Sequence, residues 1–337
     1  MPDMALHRTN PALLVTIDTE EEGLWGGKYR TSGNTVRNLR GLPRLQELCD
    51  EFEVRPTYLV DTPVVEDDFG SGLLATYQAE GRAEIGGHLH PWCTAPFEEE
   101  PNGWNSFLCN LPEPLQQAKL QTLTEQIRGR FGHSPTSFRA GRYGIGMAAL
   151  RYLRELGYRV DSSVVPFTSF AREGGPDFTA APWQPYLVSE KHLLQPGPAG
   201  GFPELPVGAG FSTSNFERTW ARRQVLTRSP WRRLRLVGIL ERLGFGSRIK
   251  LSPEQATGPQ MVTLLKQALA QHACCHVLMF HSSSLMAGGS PYVPDQRALD
   301  EFFARLRHVF QFWSDHAFTA PTMTQYLDWP PLTPSGT

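Results

Sequence analysis

The 337-residue sequence is first narrowed by what it lacks. No stretch approaches the ~18 consecutive apolar residues of a membrane-spanning helix. The start, Met1 to Asn10, is polar and has no basic segment followed by an apolar run, so neither a span nor a secretory leader is expected. Cysteine is scarce. Cys49, Cys93, Cys109, Cys274 and Cys275 form no CxxC pair, and their odd number suits a reducing compartment and a cytoplasmic protein. A GxGxxG turn and a P-loop are both missing, which removes the usual marks of a nucleotide-binding sheet. Neither charge sign dominates. A formal net charge of -2 creates no global field for nucleic acid or an anionic membrane. With 40% hydrophobic and 20% charged residues, wholesale disorder is excluded and a large buried core is available.

What is present alternates in type. Ala12 to Ile17 is a short β-branched run that predicts a buried strand, and Leu39, Leu42, Leu45, Leu48 and Phe52 then recur at helical spacing. Val54 to Val60, Ala83 to Leu89, Thr136 to Phe138, Tyr158 to Val160 and Cys275 to Phe280 are further strand segments. Helices are expected at Leu73 to Tyr77, at Leu115 to Ile127 behind Pro112 and Pro114, and at Met147 to Leu156 before Gly157. More helix follows around 217–243, 258–271 and 295–313. Such alternation means parallel strands with helical crossovers, in a barrel or an open doubly wound sheet. Residues 166–215 break the rhythm with Pro and Gly, and read as loops with short strands such as Phe202 to Val207. The basic stretch Arg222 to Arg235 reads as one face of an amphipathic helix, and Cys274 and Cys275 as buried thiols. The tail from Pro330 is expected to fray.

The strands share one habit: they end in ionisable residues. The first ends in Asp18 and Glu20, the second in Asp61, and the third in His88 and His90; Arg139, Asp161 and His281 follow on later strands. In parallel α/β folds the carboxyl ends of the strands gather at one ligand-binding face. His88 and His90, two apart on an extended strand, point to one face and suit a divalent metal, most naturally zinc. The plainer alternative is one core His and one exposed His. A carboxylate from Asp18-Thr19-Glu20-Glu21-Glu22 would complete a metal-binding triad. Asp18 and Glu20 share a face, so one could bind metal while the other removes a proton from water. Glu21 and Glu22 read as a solvated turn. His281 is placed to protonate a leaving amine.

In order and spacing these segments resemble the polysaccharide deacetylase family (NodB homology, carbohydrate esterase family 4). The resemblance rests on Thr16-Ile17-Asp18-Thr19-Glu20, Glu84-Ile85-Gly86-Gly87-His88-Leu89-His90-Pro91-Trp92 and Phe138-Arg139-Ala140-Gly141-Arg142-Tyr143-Gly144. Val160-Asp161-Ser162-Ser163 and Leu278-Met279-Phe280-His281 complete it. It implies a distorted (β/α)7-type barrel, with residues 1–330 as one domain carrying a divergent insertion at about 166–250 and a disordered tail at 331–337. It also implies a divalent metal, zinc first and cobalt or manganese next. Asp18 would be the general base and His281 the general acid; Arg139 would orient the base and Asp161 would tune charge. The chain departs from the family at Thr19, where the family's metal-binding Asp falls, and at Trp92, where its second His falls. A D-x-E branch assigns the metal to Glu20, His88 and His90. Arg142, with Tyr143 beside it, would meet substrate; it either clamps a carboxylate or phosphate or pairs with Asp161 or Glu20. Trp92 and Trp104 either stack on a sugar or pack in the core. The implied activity is removal of an acyl group, acetyl foremost, from an amine of a small-molecule or saccharide substrate. A ureide-like amide and a non-catalytic carbohydrate-binding barrel are the alternatives.

Overall fold

The computed structural model describes residues 10–227 and 246–329. In chain order its strands are β1 Ala12–Thr19, β2 Thr57–Val60, β3 Glu84–Leu89, β4 Ser137–Ala140 and β5 Val160–Asp161. They continue as β6 Tyr186–Val188, β7 Phe202–Glu204, β8 Ala209–Phe211, β9 Arg248–Lys250 and β10 Cys275–His281. Every residue of β1 is buried, as in a strand covered on both faces. Around it runs an eight-stranded sheet in the order β10-β1-β2-β3-β4-β5-β7-β6. All neighbours are parallel except the last pair, β7 and β6.

The sheet curls until it meets itself. Beyond β7, Val207 bridges Val277 of β10 in parallel, and Gly208 N–H donates to the Val277 carbonyl at 2.8 Å. The β8–β9 hairpin wedges into this seam: Leu251 N–H donates to Gly208 at 2.7 Å, and Met279 N–H donates to Leu251 at 3.1 Å. The result is the distorted (β/α)7-type barrel that the motifs imply, with seven mutually parallel strands and one narrow closure.

Parity along β1 decides what faces inward. Leu13, Val15 and Ile17 pack outward against helices, while Ala12 and Leu14 join Leu59, Val160, Leu205 and Val277 in a separate interior cluster. The helix Met323–Asp328 plugs that interior from below with Met323 and Tyr326. Thr16, Asp18 and then Glu20 continue the inward parity as the strand rises. The outer layer is conventional. The helix Gln296–Asp315 buries Leu299, Phe302, Phe303, Leu306, Phe310 and Trp313 at helical spacing, each large apolar side chain contributing about 1.5–3 kcal/mol. Asp295 caps it by accepting from Ala298 N–H at 2.8 Å.

Some boundaries differ from expectation. The helix expected at Leu73 to Tyr77 runs over Asp68–Ala79, because Asp67 caps it by accepting from Gly70 N–H at 2.6 Å. Of the helix expected over 217–243, the part Phe216–Leu226 is described, and residues 228–243 lie outside the described residues. Most of the basic stretch to Arg235 and the tail from Pro330 lie outside the described residues. Cys274 and Cys275 are buried. Among the described residues no helix is long and apolar enough to cross a membrane.

Candidate metal centre and active site

Strand register brings the ionisable tips together. Asp18 pairs with His281 across β1 and β10, and His88 with Arg139 across β3 and β4. Glycine makes the approach possible. A Cβ on Gly86 would strike Ser137, and one on Gly141 would strike the His90 ring and the Leu89 carbonyl. The main chain of Glu20 is pinned at both ends: its N–H donates to Ser282 Oγ at 3.0 Å, and its carbonyl accepts from Asn38 Nδ2 at 3.0 Å.

Three donor atoms converge. Glu20 Oε2 stands 3.3 Å from His88 Nε2 and 3.4 Å from His90 Nε2, and the two nitrogens are 3.1 Å apart. Ligands about 2.05 Å from one ion at the tetrahedral angle are about 3.3 Å apart, so the cluster fits a single divalent cation. Glu20 Oε1 and His88 Nδ1 are buried without a hydrogen-bond partner. Burial, then the charges of Asp18, Glu21, Asp61 and Glu254, push the Glu20 carboxyl well above the usual carboxylate range. A cation would supply the missing counter-charge. Burial lowers the His88 imidazole to about 3, which keeps it neutral and able to ligate.

Behind the cluster lies a supporting layer. Glu21 Oε2 is 2.9 Å from His90 Nδ1, and Trp92 Nε1 donates to Glu21 Oε1 at 2.6 Å. A carboxylate on Nδ1 leaves Nε2 as the lone-pair nitrogen, the arrangement that orients metal-binding histidines. Glu21 is therefore buried at 1% exposure, which overturns its reading as a solvated turn. Burial would raise its carboxyl, but His90 and the bonds from Asp61, His90 and Trp92 hold it low. Asp61, whose pKa burial and Glu21 push up, caps the next helix through Val64 N–H and accepts from Glu21 N–H, both at 3.0 Å. Glu22 also leaves the solvated turn, tying Arg37, Thr35 and Asn38.

Two further groups flank the cluster. Arg139 Nη1 donates to Asp18 Oδ1 at 2.6 Å, while its Nε donates to the Ser162 carbonyl at 2.7 Å. Burial raises Asp18, but Arg139, His88 and His281 outweigh it and hold the carboxyl at about 2. On the other side His281 Nε2 is 3.9 Å from Asp18 Oδ2. Its Nδ1 lies 3.0 Å from Glu254 Oε2, and Glu254 also accepts from Ser284 Oγ at 2.6 Å. Burial alone would lower this imidazole; Glu254 overrides it and raises the pKa. One pocket of about 490 Å³ collects Asp18, Glu20, His88, His90 and His281.

No family model matches the sequence, and no curated protein matches it. Solved structures do. A protein assigned as a polysaccharide deacetylase from Mycobacterium smegmatis matches with TM-score 0.54 and 16% identity, over 97% of this chain and 94% of its own. One assigned as a glycoside hydrolase/deacetylase from Parabacteroides distasonis matches with TM-score 0.63 and 13% identity, over 95% and 70%. The PuuE allantoinase matches with TM-score 0.50 and 13% identity, over 97% and 91%. The chain has the polysaccharide-deacetylase fold.

Within this deacetylase fold the remaining expected residues occupy distinct places. Asp161 is fully buried, held by Ser163 Oγ at 2.6 Å and paired in register with Glu204; it does not line the pocket. Arg142 does line it, but pairs with Glu173 rather than with Asp161 or Glu20, and donates to Ser106 Oγ at 2.6 Å. Arg142 and Tyr143 both adopt positive φ, 52° and 59°, a strained turn at the mouth. Tyr143 lines the pocket and donates to Met279 Sδ at 3.4 Å. Trp92 is a buried ring stacked on His90 at 4.2 Å. Trp104 is 59% exposed and outside the pocket, so it is not a core residue. Sequence reasoning missed Glu254, and it missed Lys250, Trp25 and Tyr292 in the pocket lining, where Trp25 stands edge-on to the rings of His281 and Tyr292. Glu254 follows Ser252-Pro253 in an aperiodic loop, where no pattern marks it.

Proposed function

We propose that this chain is a metal-dependent hydrolase of non-peptide C–N bonds that removes an acyl group, acetyl foremost, from the amine of a sugar or related small molecule. The observation that carries this reading is the meeting of a three-donor cluster, a carboxylate held by Arg139 and an imidazole held by Glu254 in one pocket. Glu20, His88 and His90 would hold the cation, and two imidazoles with one carboxylate favour zinc, with cobalt or manganese as substitutes. Such a cation, when bound, polarises a carbonyl and makes water more acidic. Asp18, kept ionised by Arg139, takes a proton from the water that attacks the acyl carbon. His281, kept protonated by Glu254, gives its proton to the amine nitrogen as the C–N bond breaks. The products are a carboxylic acid and a free amine. Opposite protonation states 3.9 Å apart are what acid–base division of labour needs.

A ureide amide is the second reading, supported by the likeness to an allantoinase. A barrel that only bound carbohydrate would have no use for separately partnered acid and base. The cysteines, most of them buried, favour a reducing, cytoplasmic setting. The test is metal content and deacetylation of N-acetylated sugars by the full chain, before and after chelation. Activity should vanish with the metal and return with zinc or cobalt. Turnover that persists once the metal has been removed sinks the reading.

A further inference from the structure

The pocket has a cationic wall. Arg142, Arg248 and Lys250 all line it. Arg142 is already engaged by Glu173 and Ser106. Arg248 donates to the Phe167 carbonyl at 2.8 Å and to Thr168 Oγ1 at 3.2 Å. Lys250, two residues along β9 and so on the same strand face, is different. Its Nζ donates to Tyr143 Oη at 2.8 Å and sits 4.9 Å from that ring's centroid. Among the described residues it forms no ion pair, which leaves an ammonium with two of its three donors unspent. Its backbone is fixed in the barrel seam, between the Ala209 pairing and the Leu251–Met279 bond. Burial lowers its pKa to about 8, against the pull of Glu254 and Asp18, so at neutral pH it remains mostly charged.

A half-buried cation with no anion at contact distance is costly, and the cost is relieved when a partner arrives. Neutral sugar hydroxyls supply no counter-charge. We propose that the substrate carries an anionic oxygen group, a carboxylate or a phosphate, and that Lys250 is the residue that binds it. This rests on the hydrolase reading and narrows its substrate class to acidic N-acylated amines. It moves anion recognition from Arg142, which is paired with Glu173, to Lys250, which among the described residues forms no ion pair.

Two measurements test it, one of them independent of catalysis. In the first, the full chain is pulse-labelled with acetic anhydride and Lys250 acetylation is read by peptide mass spectrometry. Millimolar phosphate or acetate should slow labelling of Lys250 several-fold relative to chloride at equal ionic strength, and leave the exposed Lys28 and Lys191 unchanged. If neither anion protects Lys250 beyond those controls, the proposal is overturned. In the second, deacetylation is compared for N-acetylglucosamine, its 6-phosphate and N-acetylmuramate. One acidic sugar should exceed the neutral one in kcat/KM, and which one identifies the anion. Lys250→Met should cut that ratio about tenfold to a hundredfold, the worth of a charge-assisted hydrogen bond, and Lys250→Arg should keep it. Equal preference in wild type and Lys250→Met overturns the proposal. Absence of turnover on all three sugars counts against the hydrolase reading instead, and the labelling result still decides Lys250.

Discussion

Glu254→Gln separates the proposed acid, His281, from the carboxylate that raises its pKa. Glu254 lies 3.0 Å from His281 Nδ1 and also accepts from the His281 N–H at 3.1 Å and Ser284 Oγ at 2.6 Å. Glutamine keeps the shape and an acceptor oxygen but removes the charge. With Glu254 in place His281 is held above the ordinary imidazole value; without it burial is unopposed and the pKa falls. A charge-assisted hydrogen bond to an ionised group is worth about 1.5–3 kcal/mol, hence about tenfold to a hundredfold in the protonated population. In the proposed mechanism the protonated form is the active one, so loss appears on the alkaline side. The kcat/KM profile of Glu254→Gln should fall off at lower pH than wild type, lie about tenfold to a hundredfold below it at slightly alkaline pH, and converge toward it at acid pH. Profiles should be recorded at saturating zinc so that metal loss does not intrude. An alkaline limb that does not move, with activity lowered equally at every pH, would refute the assignment of His281 as an acid charged by Glu254.

Glu21→Gln removes the carboxylate that holds His90 Nδ1 at 2.9 Å, and should weaken zinc affinity about tenfold to a hundredfold by competition titration while the chain stays folded. Lys119→Met strips the ammonium that donates to the carbonyls of Pro91, Thr94 and Pro96 at 2.9, 2.7 and 2.6 Å. Leaving those oxygens unpaired beneath the loop after His90 should cost about 3 kcal/mol or more in urea unfolding, at about 1–3 kcal/mol for each buried group.

How much of this could be read in the residues themselves depends on the range of the contacts involved. The barrel follows from local pattern: the β-branched run of β1, the helical spacing from Leu39 to Leu48, and punctuation such as Gly157. Asp18, Glu20, His88, His90 and His281 were legible because period-2 parity and strand-end position are local properties, and they do meet in one pocket. Glu21 was not. A run of acids after a strand ordinarily faces solvent, and its burial comes from Trp92 and His90, on the loop after β3. Asp161 shows the limit of the strand-end rule: it does end β5, yet Glu204 and Ser163 absorb it below the pocket. Glu254 and Lys250 owe their positions to the seam between β9 and β10, which no periodicity announces.

The acids around the centre follow a common scheme with one exception. Asp18 has Arg139, Glu254 has His281, Glu21 has His90 and Trp92, and Asp61 has two backbone N–H groups. Of these five acids, only Glu20 has a buried oxygen without a partner among the described residues, and it has carboxylates for neighbours. A neutral side chain would serve stability better there, and a cation bound to Glu20, as proposed, would supply the missing counter-charge. The pH dependence makes this testable. A carboxyl whose folded pKa lies above its unfolded value costs stability as pH rises past the unfolded value, because the folded state resists ionisation. In chelated protein, Glu20→Gln should therefore be more stable than wild type by about 1–3 kcal/mol at pH 8, with a smaller difference near pH 5, in thermal or urea unfolding. Zinc should reverse the order by stabilising wild type alone. A metal-free Glu20→Gln that is less stable than wild type at both pH values would mean that Glu20 serves the fold rather than a metal.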